Sequence, residues 1–354
     1  ASAKIYHTIQ TGACISPCCW LAVNLKRSSV MEQEPCIGLF PFLDIIIAIS
    51  FWDETPPDVW EELEDNDCWD ADDKYNKSFL RAITLGIYIH DNKVELLNST
   101  DLFVLDMDGT FYLGEQILPG ALEFLDAVRS KGKKFLFFTN NSSKNPEDYI
   151  KKLAGMNCRI TREQIMTSGD VTIRYLNTHH KGKTVYLMGT PALEASFREG
   201  GIPLTQEKPD IVVVGFDTTL TYEKLERACT YIREGALFLA THLDINCPVQ
   251  GGFIPDCGAF CAAIRLSTGK EPKFLGKPFS ETVEMVLGRT GAEREHTAFV
   301  GDRLYTDVAT GVKNGAMGFL VLTGETKLED IAASDVKPDA IFEGLQEMGA
   351  LLSQ

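Results

Sequence analysis

Leu102-Phe103-Val104-Leu105-Asp106-Met107-Asp108-Gly109-Thr110 is an apolar run that turns abruptly into two carboxylates and a glycine. A short apolar run followed by turn formers reads as a buried strand, and the Asp/Gly segment as the loop leaving its C-terminal end. In open α/β sheets, ligands bind at that edge. Residues i and i+2 of an extended segment point the same way, so Asp106 and Asp108 can face one substrate together. Gly109 lets the backbone turn tightly around whatever is bound. Taken alone, the stretch is also a plain polar turn, since Asp and Gly are common turn formers. Its meaning depends on partners elsewhere in the chain.

Those partners lie downstream. Lys134-Phe135-Leu136-Phe137-Phe138 ends in Thr139-Asn140-Asn141-Ser142-Ser143, whose hydroxyls, amides and backbone N–H groups suit phosphate oxygens. Gly276-Lys277-Pro278 supplies a fixed cation, and Thr297-Ala298-Phe299-Val300 runs into Gly301-Asp302-Arg303-Leu304-Tyr305-Thr306-Asp307, with two more carboxylates. Singly, each has a plain reading. Loop lysines and acids are usually solvated, and Asn145-Pro146-Glu147 makes the Thr-Asn-Asn-Ser-Ser run look like the approach to a helix N-terminus. Their order, and their placement behind strands, point instead to one site.

Together the four motifs resemble the signature of the haloacid dehalogenase superfamily, and most of all its NagD-like and p-nitrophenyl phosphatase branch, over about residues 96 to 354. The resemblance implies an α/β fold: a Rossmann-like parallel-sheet core interrupted by a large inserted α/β cap domain. It also implies hydrolysis of small phosphate monoesters, such as sugar or acid-sugar phosphates or nucleoside monophosphates. This hydrolysis is among the slowest uncatalysed reactions, so a site must supply a nucleophile, neutralise phosphoryl charge and protonate the leaving group. Asp106 would be the nucleophile, forming an aspartyl-phosphate. Asp108 would act as general acid and then general base. By the resemblance, Mg²⁺ would be held by a carboxylate oxygen of Asp106, the backbone carbonyl of Asp108 and the side chain of Asp302, an oxygen set suited to that ion. Asp307 would stand behind them and orient Lys277 or a metal-bound water. Lys277 would screen the nucleophile from the incoming phosphate, while Thr139, Asn140 and Asn141 would hold the phosphoryl group.

Asp108 also separates reaction classes. Dehalogenating members lack a second aspartate because a halide leaves without a proton, and ion-pumping members carry Thr there and need membrane spans. This chain has no run of about 18 apolar residues. Phosphotransferases such as sugar mutases keep both aspartates and stay as an alternative. So does a non-catalytic binding protein that retains the fold.

More than 130 residues separate Ser143 from Lys277, far more than a loop needs. Thr161-x-x-Gln164 reads as a capping box opening a short helix of the core. A βα rhythm then restarts: Thr184 to Met188, a helix from Pro191 to Glu199, Asp210 to Gly215, a helix from Tyr222 to Arg233, and Leu237 to Ala240. The expected division is core over 96–178, cap over 179–266 and core again over 267–354, where Phe319 to Leu322 and Asp339 to Phe342 add strands. Cap loops facing the core would set specificity. The candidates are Gly215-Phe216-Asp217, Thr241-His242-Leu243-Asp244, and the loop Gly251 to Gly258 with Asp256. Relatives commonly carry Asn where this chain has His242, and a lone loop histidine is ordinarily solvent-facing.

Residues 1–95 are different material. They hold all four tryptophans and five of the ten cysteines, and from Asp53 to Asp73 there are eleven acids and no basic residue. Such a run reads as solvated, so a disordered or loosely packed extension is expected. Ile37 to Trp52 is apolar but short, and Pro41 and Asp44 interrupt it; it does not read as a membrane span, nor the start as a signal peptide. The remaining residues are enough for a core plus a cap. A net charge of −16 argues against nucleic acid or an anionic membrane as the main partner; the resemblance implies a small-molecule phosphate monoester, and a homodimer stays open. No cysteine spacing matches a zinc site, and free thiols in a reducing cytoplasm are the simpler account.

Overall fold

The computed structural model describes residues 92–249 and 251–354. The extension expected over 1–95 thus lies almost wholly outside the described residues. Its last part forms helix Lys93–Ser99, which buries Leu97 and ties Lys93 to Glu347 at 2.6 Å.

Along the chain come β1 (Leu102–Leu105), a small hairpin of β2 (Tyr112–Leu113) and β3 (Gln116–Ile117), then β4 (Lys134–Thr139) and β5 (Ile165–Thr167). A second series follows: β6 (Val185–Met188), β7 (Ile211–Val214), β8 (Leu237–Ala240), the hairpin β9 (Asn246–Val249) and β10 (Gly252–Pro255), and β11 (Lys273–Phe274). The chain then returns with β12 (Thr297–Gly301), β13 (Met317–Val321) and β14 (Ala340–Phe342).

The first sheet is six-stranded and parallel, in the order β14-β13-β12-β1-β4-β5. Parallel strands covered on both faces need apolar residues at every position, and all four residues of β1 are buried. Alternate side chains separate cleanly. Phe103, Leu105, Phe135, Phe137 and Val300 pack with helices Ala121–Ser130 and Leu345–Leu352. Leu102, Val104, Leu136, Phe138 and Phe299 pack with Val171 of helix Ser168–His179 and Val283 and Val286 of helix Ser280–Thr290. Phe103 meets Phe124 edge-on, with centroids 5.3 Å apart.

Register places the chemistry. Leu105 pairs with Val300 on one side and Phe137 on the other, so Asp106, Thr139 and the Gly301-Asp302 turn emerge side by side at one sheet edge. The local signals act as read. Asn145 caps helix Pro146–Gly155, accepting from Asp148 N at 2.9 Å, and Thr161 N donates to Gln164 Oε1 at 3.1 Å around the single turn Arg162–Gln164.

The inserted segment forms a second parallel sheet, β11-β8-β7-β6. Helix Pro191–Glu199 covers one face with Leu193 and Phe197. Helices Tyr222–Arg233 and Cys257–Thr268 cover the other with Ala228, Ile232, Cys261 and Ile264. Two details differ from the sequence expectation. The sheet takes in β11 at Lys273–Phe274, beyond residue 266. Gly251 to Gly258 is not one loop: Gly252–Pro255 pairs with Asn246–Val249, and Asp256 then caps the helix opening at Cys257. Turn-forming residues hid that hairpin, because strand pairing is decided by a partner segment and not by local propensity.

Candidate active site

The C-terminal ends of β1 and β12 carry the carboxylates, and the turn at Lys277 closes over them. Lys277 is 3% exposed. Its Nζ lies 2.5 Å from Asp106 Oδ1 and 2.5 Å from Asp307 Oδ1, and 3.4 Å from the carbonyl of Phe138. Burial works against the ammonium, but Asp106 and Asp307 outweigh it and hold Lys277 charged. Burial pushes the Asp106 carboxyl up to about 8, against the pull of Lys277 and with the repulsion of Asp307 and Asp302. Asp307 reaches the lysine because the chain makes a wide π-type turn over Leu304–Val308; its second oxygen accepts from Arg303 N at 3.1 Å.

Asp302 stands next to this pair. Its Oδ2 accepts from Glu325 N at 2.7 Å, and Thr110 Oγ1 donates to Oδ1 at 3.4 Å. Burial, then Asp307, raise its carboxyl to about 6. Gly109 makes room for it. At φ +87° its backbone lies in the left-handed region, and a Cβ there would come 2.7 Å from Asp302 Oδ2. Asp108, three residues past the end of β1, is part-buried. Burial raises its carboxyl, with Lys152, Arg303 and Lys144 opposing. A carboxyl raised in this way is suited to carrying a proton.

Of the second loop, Thr139 accepts from Asn141 N at 3.2 Å and is buried. The Asn140 side chain is already engaged. Its Oδ1 accepts from Lys277 N at 2.8 Å, and its Nδ2 donates to Lys277 O and to Asp244 Oδ2, each at 3.2 Å. Asn140 thus frames the lysine backbone. Asn141 Oδ1 accepts from Ser143 N and Oγ at 3.0 and 2.7 Å, shaping its own turn.

The four candidates from the inserted segment separate into one and three. Asp217 is bound inside its own loop, accepting from Lys224 Nζ and Thr219 Oγ1, both at 2.6 Å. His242, Asp244 and Asp256 come together, all buried. His242 is fully buried, not solvent-facing, because its loop is folded under the start of helix Cys257–Thr268, where Gly258 N donates to Asp244 O at 2.8 Å.

Sequence reasoning gave Arg303 no role and read Ser142 only as part of a run suited to phosphate oxygens. Arg303 Nε donates to Glu325 Oε2 at 2.8 Å. Burial opposes its charge, but Asp106, Asp302 and Asp307 outweigh it. Its position next to Asp302 within the fourth motif was the available signal. Ser142 Oγ contacts Thr241 Oγ1 at 2.9 Å and accepts from Phe216 N at 2.9 Å, joining the second loop to two loops of the inserted segment.

The donor set fits a hard cation. Asp106, Asp302 and Asp307 can each offer an oxygen within 4.8 Å of the others, and oxygen-only clusters of this kind suit Mg²⁺. Lys277 occupies Oδ1 of both Asp106 and Asp307, so Asp302 and the second oxygen of Asp106 are the freer donors.

Comparison with known proteins gives the family. A haloacid dehalogenase-like hydrolase model matches residues 103–203, and a second, HAD-hydrolase-like model matches residues 274–348. The chain is 36% identical over 253 residues to an acid sugar phosphatase of Staphylococcus aureus, covering 71% of this chain and 98% of that protein. It is 35% identical over 245 residues to the 5'-nucleotidase YutF of Bacillus subtilis, covering 69% and 96%. Among solved structures, 4-nitrophenylphosphatase from Thermotoga maritima superposes with a TM-score of 0.70 at 45% identity, covering 72% and 98%. The relatives are matched over almost their whole length, so the chain belongs to the haloacid dehalogenase-like hydrolases, among their NagD-like phosphatases.

Proposed function

We propose that this chain is a Mg²⁺-dependent phosphatase that hydrolyses small phosphate monoesters, in the sugar and acid-sugar class, through an aspartyl-phosphate on Asp106. The observation that carries the reading is the pair of 2.5 Å contacts from Lys277 to Asp106 and Asp307 at the end of a buried parallel strand. A lysine so placed favours the ionised form of Asp106 against its burial, beside an incoming anion. Asp106 then attacks phosphorus, and the bond to the ester oxygen breaks as Asp108 gives that oxygen a proton. The same Asp108, now a carboxylate, takes a proton from water as the water oxygen attacks phosphorus. The acyl-phosphate bond breaks, phosphate leaves and Asp106 is restored.

Asp106, the Asp108 carbonyl and Asp302 would hold Mg²⁺, which when bound neutralises phosphoryl charge. Asn140 keeps Lys277 in place, and Asp307 keeps its ammonium aimed at the nucleophile. The inserted sheet stands over the site through Ser142, Thr241 and Asp244, a position from which it can exclude water and select substrates. The relatives' names support the sugar-phosphate class, with nucleoside monophosphates as the second group to screen. Five described cysteines are free thiols, and no helix among the described residues is long and apolar enough to cross a membrane.

Release of p-nitrophenol and of phosphate from a panel of sugar phosphates, with Mg²⁺ and with a chelator, tests the reading. Asp106→Asn is expected to reduce turnover by roughly 10⁴-fold or more, as loss of a nucleophile does elsewhere. Wild-type activity that survives this substitution would exclude the aspartyl-phosphate route, and transfer to an added sugar in place of water would mark a phosphotransferase.

A further inference from the structure

His242 is buried between two acids. Its Nδ1 lies 3.4 Å from Asp244 Oδ2, and its Nε2 lies 3.4 Å from Asp256 Oδ1. Neither ring nitrogen has a well-formed hydrogen bond to any described residue, and Asp244 Oδ1 has none either. A neutral imidazole has one N–H and one lone pair, so it would turn a lone pair toward one of two carboxylates. An imidazolium presents N–H to both. The same three side chains could also be read as metal ligands; the contacts of the two carboxylates to opposite ring nitrogens favour the doubly protonated ring.

The surroundings agree. Burial disfavours the charged ring, but Cys257, Asp256 and Asp244 outweigh it and push the pKa up to about 9. The groups facing the ring are Asp244 from its own loop, and Asp256 and Cys257 from the start of helix Cys257–Thr268. Arg303 acts on both acids from the edge of the first sheet.

What the ring holds leads to the nucleophile. Asp244 accepts from Asn140 Nδ2 at 3.2 Å, Asn140 Oδ1 accepts from Lys277 N at 2.8 Å, and Lys277 Nζ lies on Asp106. On the other side, Asp256 N donates to Ile245 O at 2.9 Å, so the loop and the helix start form one piece. Space is tight along this line. A Cβ at Gly276 would lie 2.6 Å from Asn140 Oδ1 and 3.0 Å from His242 Cβ.

We propose that His242 is a positioning residue: an imidazolium clamped between Asp244 and Asp256 that locks the inserted segment's loop onto Asn140, and through Asn140 sets Lys277 against Asp106. Its kinetic consequence rests on the phosphatase reading; its charge state does not.

Nitrogen-15 NMR of the histidine-labelled full chain, assigned with His242→Asn, tests the charge state. Both His242 nitrogens are expected to be protonated at about pH 7 and to stay so at about pH 8. A single protonated nitrogen, or ligation of the ring on adding Zn²⁺, overturns the clamp. Asp256→Asn, which keeps an oxygen for Cys257 N, tests the coupling in a chain that retains the helix cap. With p-nitrophenyl phosphate, kcat is expected to fall roughly tenfold while KM stays within about twofold, and the alkaline limb of the kcat–pH profile should move to lower pH. Unchanged kcat and an unmoved profile overturn the coupling. If the wild-type chain has no phosphatase activity at all, the functional reading fails while the NMR result still decides the clamp.

Discussion

Lys277 Nζ lies 2.5 Å from Asp106 Oδ1, across 171 positions of sequence. Asp307 holds the same ammonium from the other side at 2.5 Å. A buried cation with two anions is a unit whose members depend on one another.

Lys277→Met removes the cation and leaves two buried acids facing each other. Breaking a buried ion pair costs about 3–5 kcal/mol, so the urea midpoint should drop, and kcat/KM on p-nitrophenyl phosphate should fall by roughly 10²-fold or more. Lys277→Arg should not restore activity, because a guanidinium fork does not fit a slot shaped for an ammonium. A variant with wild-type stability would show that Lys277 is not paired as described.

Asp108→Asn separates leaving groups. A sugar alkoxide needs a proton to depart, whereas p-nitrophenolate leaves without one. Turnover of a sugar phosphate should therefore fall by about 10²–10⁴-fold, and turnover of p-nitrophenyl phosphate by clearly less. Equal losses on both substrates would remove Asp108 from the role of proton donor.

Gly109→Ala should weaken the cation site without replacing any carboxylate. The left-handed backbone at Gly109 costs an alanine about 1–2 kcal/mol, and the new methyl would push on Asp302, 2.7 Å from its Oδ2. The Mg²⁺ concentration giving half-maximal activity should rise, and saturating Mg²⁺ should recover most of kcat. An unchanged Mg²⁺ dependence would place the cation away from Asp302.

Stability without a divalent cation should depend on pH in a definite direction. Asp302 is raised from 3.8 to about 6, so the folded chain binds its proton more tightly than the unfolded chain. That stabilisation is complete below pH 3.8 and is lost as pH rises through about 6, on the order of 3 kcal/mol at about 1.4 kcal/mol per unit. Asp106, raised to about 8, extends the loss upward. Mg²⁺ should reverse it at the alkaline end by replacing the protons. Thermal melts between pH 4 and 8, with Mg²⁺ and with a chelator, check this; parallel curves would contradict it.

Much of the first sheet was legible because burial on both faces demands an unbroken apolar run, and Leu102 to Leu105 and Thr297 to Val300 show one before a polar turn. Caps at Asn145 and Thr161 were legible because they act within one helical turn. The hairpin Asn246–Val249 with Gly252–Pro255 was not, since its proline, glycines and polar residues say turn and only pairing makes them strands. Nor was the burial of His242, whose surroundings come from Asp256 and Cys257 on a separate element. Asn140, expected to face phosphate, turns its side chain to the Lys277 backbone, a contact set by the approach of two loops 137 positions apart.

By itself the sequence determined which residue types stand at strand ends, paired carboxylates, a lysine and a hydroxyl loop behind buried strands, and, through the resemblance those motifs carry, the reaction class. Those are local properties, written in hydrophobic runs and turn chemistry. Only the tertiary structure decided that Lys277 serves Asp106 and Asp307 together, that Arg303 joins the acids, and that His242 lies clamped between Asp244 and Asp256. The reason is physical. Ion pairing and burial depend on the distances between groups far apart in the chain, and those distances exist only once the two sheets have packed.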